Sequence, residues 1–286
     1  MIRPARPDDV DAIAAWTAHT FDWGDYVAAA LPHWMAETDS LAVVAEVGGE
    51  VVGVSRSALL SPTEAWAQGT RVHPGHRRAG IGNALAEHLA AWAAGRGALV
   101  MRAMVEEWNH AAREQSLRLG FRDIGTWLRA SRGVGDNSPV PEGNGGRRVP
   151  SGEALRPAHS SEAVDAMMSW SGGELERASR GLIPIGVWRM RRLVPEDLAG
   201  AARRRALLSA RSGWAVAEVE ENACEIRWIS TTGTDANALL RALIDRAAAG
   251  GLEEIRAMLP AVPWLDRALR RRGFEFRPLR IYARAL

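Results

Sequence analysis

Residues 72–85, VHPGHRRAGIGNAL, decide how the first part of this chain folds. A short strand pattern ends at the proline, a basic turn with two glycines follows, and an apolar helix begins directly after it. Gly80 and Gly82 have no Cβ, so a ligand can approach the backbone closely there. The first N–H groups of the helix have no intrahelical acceptors, and together with the helix dipole they favour an anion. This stretch therefore predicts a phosphate or diphosphate site, with Arg77 and Arg78 at its rim.

Two other glycine-rich phosphate loops fit this stretch poorly. A Walker loop requires Lys and then Ser or Thr after its last glycine, whereas Asn83 and Ala84 follow Gly82. A dinucleotide fingerprint requires a third glycine, and Leu85 occupies that position. A tight strand-to-helix turn without a ligand is the other interpretation of the stretch taken alone.

The composition excludes several classes of protein. The 286 residues are 47% hydrophobic, which is enough for one large domain or two of ordinary size. No run approaches the roughly 18 apolar residues of a membrane span, and Met1–Pro4 does not begin a signal peptide. The single cysteine, Cys224, excludes an internal disulfide and a multi-cysteine metal site. We therefore expect a cytoplasmic protein without a membrane contact or a metal.

The charge pattern argues against a nucleic-acid partner. All 36 basic residues are arginine, but 34 acidic residues leave a net charge of only +2. Neither half of the chain has the strongly basic balance that a nucleic-acid-binding domain requires. Arginine runs such as Arg203–Arg205 and Arg270–Arg272 lie on helical patterns, where they indicate solvated helix faces.

The first half has the patterns of a strand, two helices, three antiparallel strands, a helix, a strand, a helix and a strand. The predicted helices cover residues 7–20, 26–36, 80–95 and 109–119. The clearest strand patterns cover 41–45, 51–54 and 98–104, and a last strand starts at Phe121. A stretch rich in Gly and Pro, residues 133–152, is predicted to be a linker. The predicted domains are therefore 1–132 and 153–286.

The second half repeats the closing elements of the first. Its predicted strands cover 224–229, 255–259 and 276–283, and its predicted helices cover 236–249 and 264–272. Gly120-Phe121 and Gly273-Phe274 mark equivalent places in the two copies.

Two motifs in the first half together resemble a known family. The spacing Arg77-x-x-Gly80-x-Gly82, set between a strand and a helix, resembles the pyrophosphate loop of the GNAT superfamily of acyl-CoA-dependent N-acetyltransferases. Asn109-x-x-Ala112 followed by Gly120-Phe121 is similar to a second signature of that family. The resemblance implies an α/β fold of two GNAT-like domains, each with a central, mostly antiparallel mixed sheet flanked by helices.

The second copy departs from these motifs. Opposite the basic loop it has residues 230–235, STTGTD, with one glycine, no arginine and an added carboxylate at Asp235. Counting back from the matching glycines pairs Asn109 with Val262. A carboxylate beside a phosphate socket opposes anion binding. We therefore interpret the second half as a degenerate GNAT domain that serves packing, dimerisation or the wall of the substrate site.

The resemblance also implies the chemistry of the first half. The donor is acetyl-CoA, and a primary amine of a small molecule or peptide attacks it directly, without an acyl-enzyme. The residues implied in binding acetyl-CoA are Val72, Arg77, Arg78, Ala79, Gly80, Ile81, Gly82, Asn83 and Asn109.

The proton-transfer groups fit the family pattern less well. Ser116 lies where the family often has a tyrosine as acid, and a serine hydroxyl is a poorer proton donor than a phenol. The strand before Val72 has no carboxylate where the family often has one. Glu106 and Glu107 are the nearest candidates for the base, and two solvated loop carboxylates are the alternative.

The acceptor pocket is implied between the first two helices, at Asp22, Asp25 and Tyr26. These residues suit a cationic amine, while helix capping by Asp22 or Asp25 is an equally good explanation. A rival function is a non-catalytic acyl-CoA-binding regulatory protein, which Ser116 and the missing strand carboxylate favour. The sequence does not decide the acceptor, nor whether the chain is a monomer or a homodimer.

Overall fold

The computed structural model describes residues 1–21, 24–135, 153–186 and 188–286. These residues form two compact units, one of residues 1–123 with 281–286 and the other of residues 124–280. The division differs from the predicted domains. Residues 124–132, expected to close the first domain, belong to the second unit, and the end of the chain belongs to the first. Most of the predicted linker lies outside the described residues.

The elements of the first half follow the predicted order. They are β1 (Ile2–Pro4), α1 (Asp9–Thr17), α2 (Val27–Ala36), β2 (Ser40–Val47), β3 (Glu50–Ser61), β4 (Glu64–Val72), a 3₁₀ turn (Pro74–His76), α3 (Ile81–Gly95), β5 (Val100–Glu106), α4 (His110–Arg118) and β6 (Arg122–Gly133).

The elements of the second half include the repeated set. They are β7 (Arg156–Pro157), a 3₁₀ turn (Ser160–Glu162), α5 (Ala163–Trp170), α6 (Glu174–Ser179), β8 (Leu182–Pro184), β9 (Met190–Arg192), α7 (Pro195–Arg203), β10 (Leu207–Ala210), β11 (Gly213–Glu220), β12 (Ala223–Ser230), α8 (Ala236–Ala249), β13 (Glu254–Pro260), α9 (Pro263–Arg271) and β14 (Glu275–Ala285).

The first unit is a mixed sheet covered on both faces. Its strand order is β1-β2-β3-β4-β5, followed by the end of β14. The pairs from β1 to β4 are antiparallel, and β5 is parallel to β4. Gly48 and Gly49 form the turn between β2 and β3, and both have positive φ, as a tight hairpin requires.

Two apolar clusters hold the helices on this sheet. The apolar face of α3 is buried, with Leu85 and Leu89 packed against β5 residues such as Met101. On the other face, Ile13 of α1 and Leu31 of α2 are fully buried in a second cluster. The sheet therefore has an α3 face and an α1–α2 face, and this distinction orients the side chains of the site.

The second unit has the same layout in its closing part. Its strand order is β6-β13-β12-β11-β10-β7, and β12 and β13 form a parallel pair. The remaining pairs of this sheet are antiparallel. Cys224 on β12 is buried, and burial raises the pKa of its thiol to about 11, so it is protonated at neutral pH. Within the described ranges, no helix is both long and apolar enough to cross a bilayer.

Candidate functional site

An opening separates the outer ends of β4 and β5. The two strands pair only where Glu64–Trp66 lies beside Val100–Arg102. β4 continues to Val72 and β5 continues to Glu106, so their outer ends do not bond to each other. Backbone polar groups along such a gap need other partners. An extended ligand with amide groups can supply them.

A bulge in β4 shapes this opening. Gly69 has a φ of +72°, and the pairing of β4 with β3 shifts register around it. A Cβ at Gly69 would lie 2.4 Å from the ring of Trp34, so only glycine fits there. No motif in the sequence marks Gly69, although a glycine inside a strand pattern is a recognised sign of a bulge.

The basic turn leads directly into α3 and leaves the N–H groups at the start of this helix exposed. Arg78 and Gly80 both have left-handed backbones, with φ of +68° and +79°. Gly80 is the N-cap of α3 and has no side chain to cap it, and the first turn contains no acidic residue. The N–H groups of Ile81, Gly82 and Asn83 therefore lack intrahelical acceptors.

These residues fit a diphosphate. The place that a Cβ of Gly80 would occupy is open, with no heavy atom within 4 Å. Arg77 and Arg78 are exposed beside it. Gly82 is closely covered, because a Cβ there would lie 2.4 Å from Nε2 of Gln115 on α4. The turn thus combines backbone donors, positive charge and room for a ligand.

Asn109 begins α4 and caps it. Its Oδ1 accepts a hydrogen bond from the N–H of Ala112 at 3.2 Å. The Asn-x-x-Ala spacing is therefore that of an N-cap and the N3 residue that it caps. The cap leaves the Nδ2 amide of Asn109 as a donor, and the predicted contact with a bound pantetheine amide stays a prediction.

Ser116 is engaged inside α4. Its Oγ donates to the carbonyl of Ala112 at 2.9 Å. Serine and threonine often bond back to the preceding turn in this way, and the bond occupies the only hydroxyl proton. The structure thus gives Ser116 a helix contact in place of a free donor.

The two candidate carboxylates have different surroundings. Met101, Ala103 and Val105 of β5 pack on the α3 face. Because side chains alternate along a strand, Glu106 projects to the α1–α2 face. Glu107 begins the following loop, and its carbonyl accepts from the guanidinium of Arg113 at 2.9 Å.

Asp25 is neutralised by a neighbouring cation. Its carboxylate accepts from Nε of Arg71 at 2.6 Å, and its side chain is 1% exposed. Asp25 also accepts from the N–H of Val27 at 3.0 Å. These contacts agree with the helix-capping alternative and add a pair with Arg71, while the predicted contact of Asp25 with a cationic amine stays a prediction. Asp22 lies outside the described residues.

Tyr26 lies beside the same cation. The Arg71 guanidinium is 5.7 Å from the centre of its ring. Partial burial raises the pKa of Tyr26, so its phenol stays protonated at neutral pH.

The corresponding place in the second unit is closed. Asp235 is the N-cap of α8, and its carboxylate is 2.7 Å from the hydroxyl of Thr232. A Cβ at Gly233 would lie 3.1 Å from the indole of Trp264, which donates to Glu174 at 2.7 Å. A carboxylate and an indole thus occupy the region that is basic and open in the first unit.

The start of α9 confirms how the two copies were paired. Val262 is the N-cap of α9, as Asn109 is of α4. Val262 has no side-chain cap hydrogen bond. Among the residues that the structure describes, no group of three or more His, Cys, Asp or Glu side chains is placed to hold a metal ion.

Comparison with known proteins agrees with this geometry. Residues 11–121 match the acetyltransferase (GNAT) family. No functionally curated protein matches the sequence.

Solved structures with the same fold cover the whole chain. A GCN5-related N-acetyltransferase from Sphaerobacter thermophilus is 17% identical, with a TM-score of 0.66 over 100% of this chain and 95% of that one. A tandem GNAT protein from the clavulanic acid biosynthesis pathway is 18% identical, with a TM-score of 0.56 over 100% and 98%. A GCN5-related N-acetyltransferase from Kribbella flavida is 17% identical, with a TM-score of 0.50 over 100% and 71%. At these identities the likeness concerns the fold.

Proposed function

We propose that this chain, whose residues 11–121 match the acetyltransferase (GNAT) family, transfers an acetyl group from acetyl-CoA to a primary amine in the cytoplasm. The observation that carries the proposal is the opening between β4 and β5 beside the uncapped start of α3. The opening suits the pantetheine arm, and the helix start suits the diphosphate. The amine belongs to a small molecule or a peptide.

The reaction is a direct displacement. The neutral amine attacks the thioester carbonyl, the C–N bond forms and the C–S bond breaks. The nitrogen, positively charged after the attack, loses a proton to give the amide, and the departing CoA thiolate takes up a proton. A base must first remove a proton from the ammonium. Binding both reactants side by side supplies much of the rate enhancement. No metal takes part in this proposal.

We assign the base to Glu106 in preference to Glu107. Glu106 projects to the α1–α2 face, where Arg71 and Tyr26 also lie. Glu107 lies in the next loop beside Arg113, whose raised pKa arises mainly from its hydrogen bond with Tyr282 and partly from the charge of Glu107. The Arg113 guanidinium also donates to the carbonyl of Glu107 at 2.9 Å, which holds Glu107 in the loop beyond the end of β5.

One observation favours a second candidate function, that of a non-catalytic acyl-CoA-binding regulator. The Ser116 proton is held by Ala112, so α4 offers no free hydroxyl where the family often has its acid. Acetyl-CoA binding is common to both functions, and turnover separates them.

Steady-state release of free CoA tests the proposal. The purified chain is incubated with acetyl-CoA and a panel of primary amines, and thiol release is followed above the rate of hydrolysis without amine. We expect amine-dependent release. Binding of acetyl-CoA without release by any amine would support the regulator instead.

Two matched variants test the base. Glu106→Gln should lower kcat by about 10²- to 10⁴-fold, because a general base typically contributes that much. Glu107→Gln, the control, should change kcat by less than about threefold. Steady-state kinetics over a range of pH measures kcat for both variants. A larger loss of kcat in Glu107→Gln than in Glu106→Gln would assign the base to Glu107.

A further inference from the structure

Three aromatic rings lie at the border of the β4–β5 opening. Trp108 follows Glu107 in the β5–α4 loop and is 53% exposed. Its indole meets the ring of Phe21 edge to face, with centroids 6.0 Å apart and an interplanar angle of 89°. Tyr26, the third ring, is 36% exposed. We call Phe21, Tyr26 and Trp108 the aromatic wall.

Arg71 joins two rings of this wall. Its guanidinium lies 5.0 Å from the centre of the Phe21 ring and 5.7 Å from that of Tyr26, within the range of cation–π attraction. Asp25 holds the guanidinium from the other side through two hydrogen bonds, at 2.6 and 3.3 Å. The positive charge is therefore already balanced inside the protein.

The wall borders the place where the acceptor must arrive. Arg71 immediately precedes Val72 at the end of β4, and Trp108 comes two residues after the end of β5 at Glu106. These are the outer ends of the two strands that separate at the opening. A ligand body that packs on the wall has its amine beside these strand ends, on the face to which Glu106 projects.

We propose that the acceptor is an arylalkylamine, a monoamine with an aromatic body. This inference rests on the proposed function and names its substrate class. Ring faces and edges stabilise a flat apolar body through hydrophobic burial and edge-to-face contact. A polyamine requires further carboxylates for its other ammonium groups, and Asp25 is committed to Arg71. Exposed aromatic side chains that cluster beside a cleft are typical of a ligand surface.

The test compares an amine that carries an aromatic ring with an alkyl monoamine and with a polyamine. Steady-state CoA release is measured with 2-phenylethylamine, propylamine and spermidine. The wild-type kcat/KM should be at least about tenfold higher for 2-phenylethylamine than for either other amine, which corresponds to about 1.4 kcal/mol. Higher kcat/KM for spermidine would overturn the inference and leave the proposed function intact.

Variants of Trp108 connect this preference to the wall. Trp108→Ala should raise KM for 2-phenylethylamine by about tenfold and change KM for propylamine by less than about twofold. Trp108→Phe should retain most of the affinity. Leu117→Ala is the control, because Leu117 is a 55% exposed apolar residue on α4 that has no part in the wall. Equal losses for both amines in Trp108→Ala would contradict the inference.

Calorimetry distinguishes failure of the inference from failure of the proposed function. Binding of 2-phenylethylamine to the CoA-loaded protein is measured for the wild type and for Trp108→Ala. Loss of binding in the variant supports the wall even if no amine is acetylated, a result that would refute only the proposed reaction. Equal binding, or none by either protein, overturns the inference.

Discussion

At the scale of single residues, one helix hydrogen bond decides what Ser116 can do. Its position in α4 predicts an acid, but its proton is held by the carbonyl of Ala112. To protonate a thiolate, the hydroxyl would have to leave that bond and lose its contribution of about 1 kcal/mol. A water molecule can deliver the proton at no such cost.

Replacement of this serine should therefore have a small effect. We expect Ser116→Ala to change kcat by less than about threefold, with the KM for acetyl-CoA unchanged. Saturation kinetics with both substrates is the measurement. A loss of tenfold or more in kcat alone would show that the hydroxyl does act as the acid.

Among the single residues of the site, some could be placed from the sequence and others could not. The basic turn, Asn109 and Ser116 could be placed from motifs, because their spacing along the chain fixes their positions on one loop and one helix. The pair of Asp25 with Arg71 joins residues 46 positions apart. No local pattern indicates such a pair, so the sequence left Asp25 open as an amine ligand.

At the scale of elements, three glycine variants of α3 test whether the start of this helix binds the diphosphate. Gly80→Ala places a side chain at a φ of +79°, which costs about 1–2 kcal/mol and distorts the turn. Gly82→Ala must displace the side chain of Gln115. Both variants should weaken acetyl-CoA binding by about tenfold or more. Gly95→Ala, at the open far end of α3, is the matched control and should bind normally.

Isothermal calorimetry measures these affinities, and circular dichroism checks that the variants are folded. Unchanged affinity in both Gly80→Ala and Gly82→Ala would disprove the assignment of the diphosphate to this turn. A loss in the Gly95→Ala control would show that any change in α3 weakens binding.

A comparison of the starts of α3 and α8, the equivalent helices of the two units, predicts how many acetyl-CoA molecules bind per chain. In the second unit, Asp235 and Trp264 occupy the region that is open at Gly80. One acetyl-CoA should therefore bind per chain, and Gly80→Ala should weaken that single site. A stoichiometry of two by calorimetry would mean that the indole of Trp264 moves aside for a second ligand.

Helices and strands were largely predictable from the sequence. Helix α8 begins and ends at the predicted residues, and α2, α3 and α4 lie within one residue of prediction at each end. Apolar periodicity is local, and it therefore survives tertiary packing. The bulge at Gly69 was not predicted, because its requirement for glycine comes from Trp34 on a different element.

At the scale of the whole molecule, residues 281–286 complete the first unit. Tyr282 is 1% exposed in the cluster that contains Leu85. Its hydroxyl accepts from Nε of Arg113 at 3.3 Å. Arg284 pairs with Glu87 at 2.6 Å, and the N–H of Leu286 donates to the carbonyl of Leu99.

Removal of these six residues should damage the first unit. Deletion of residues 281–286 takes out a buried tyrosine and an edge of the sheet, so we expect loss of acetyl-CoA binding and a lower unfolding temperature. Arg284→Ala is the control. It removes only a partly exposed ion pair worth about 0–1 kcal/mol and should bind normally. Normal binding by the deletion variant would show that the first unit folds without the end of β14.

The sequence could not predict which of the two units each of these strand segments joins. The Gly- and Pro-rich stretch at 133–152 marks a break in composition, and a boundary at residue 132 follows from it. Strand patterns show that residues 122–133 and 275–285 are strands, but periodicity does not show which sheet a strand joins. Only the three-dimensional structure assigns residues 124–132 to the second unit and 281–286 to the first.

Because Tyr282 is synthesised long after residues 1–123, its place in their core affects how the first unit folds during translation. A ribosome releases the chain from its N-terminus onward, and domains often fold in that order as they emerge. Here the sheet of residues 1–123 is completed only when residues 281–286 have been synthesised. Contacts over so long a stretch of chain also slow folding. The nascent first unit therefore has an incomplete sheet edge until residues 281–286 emerge, and chaperones that cover such edges should increase its yield.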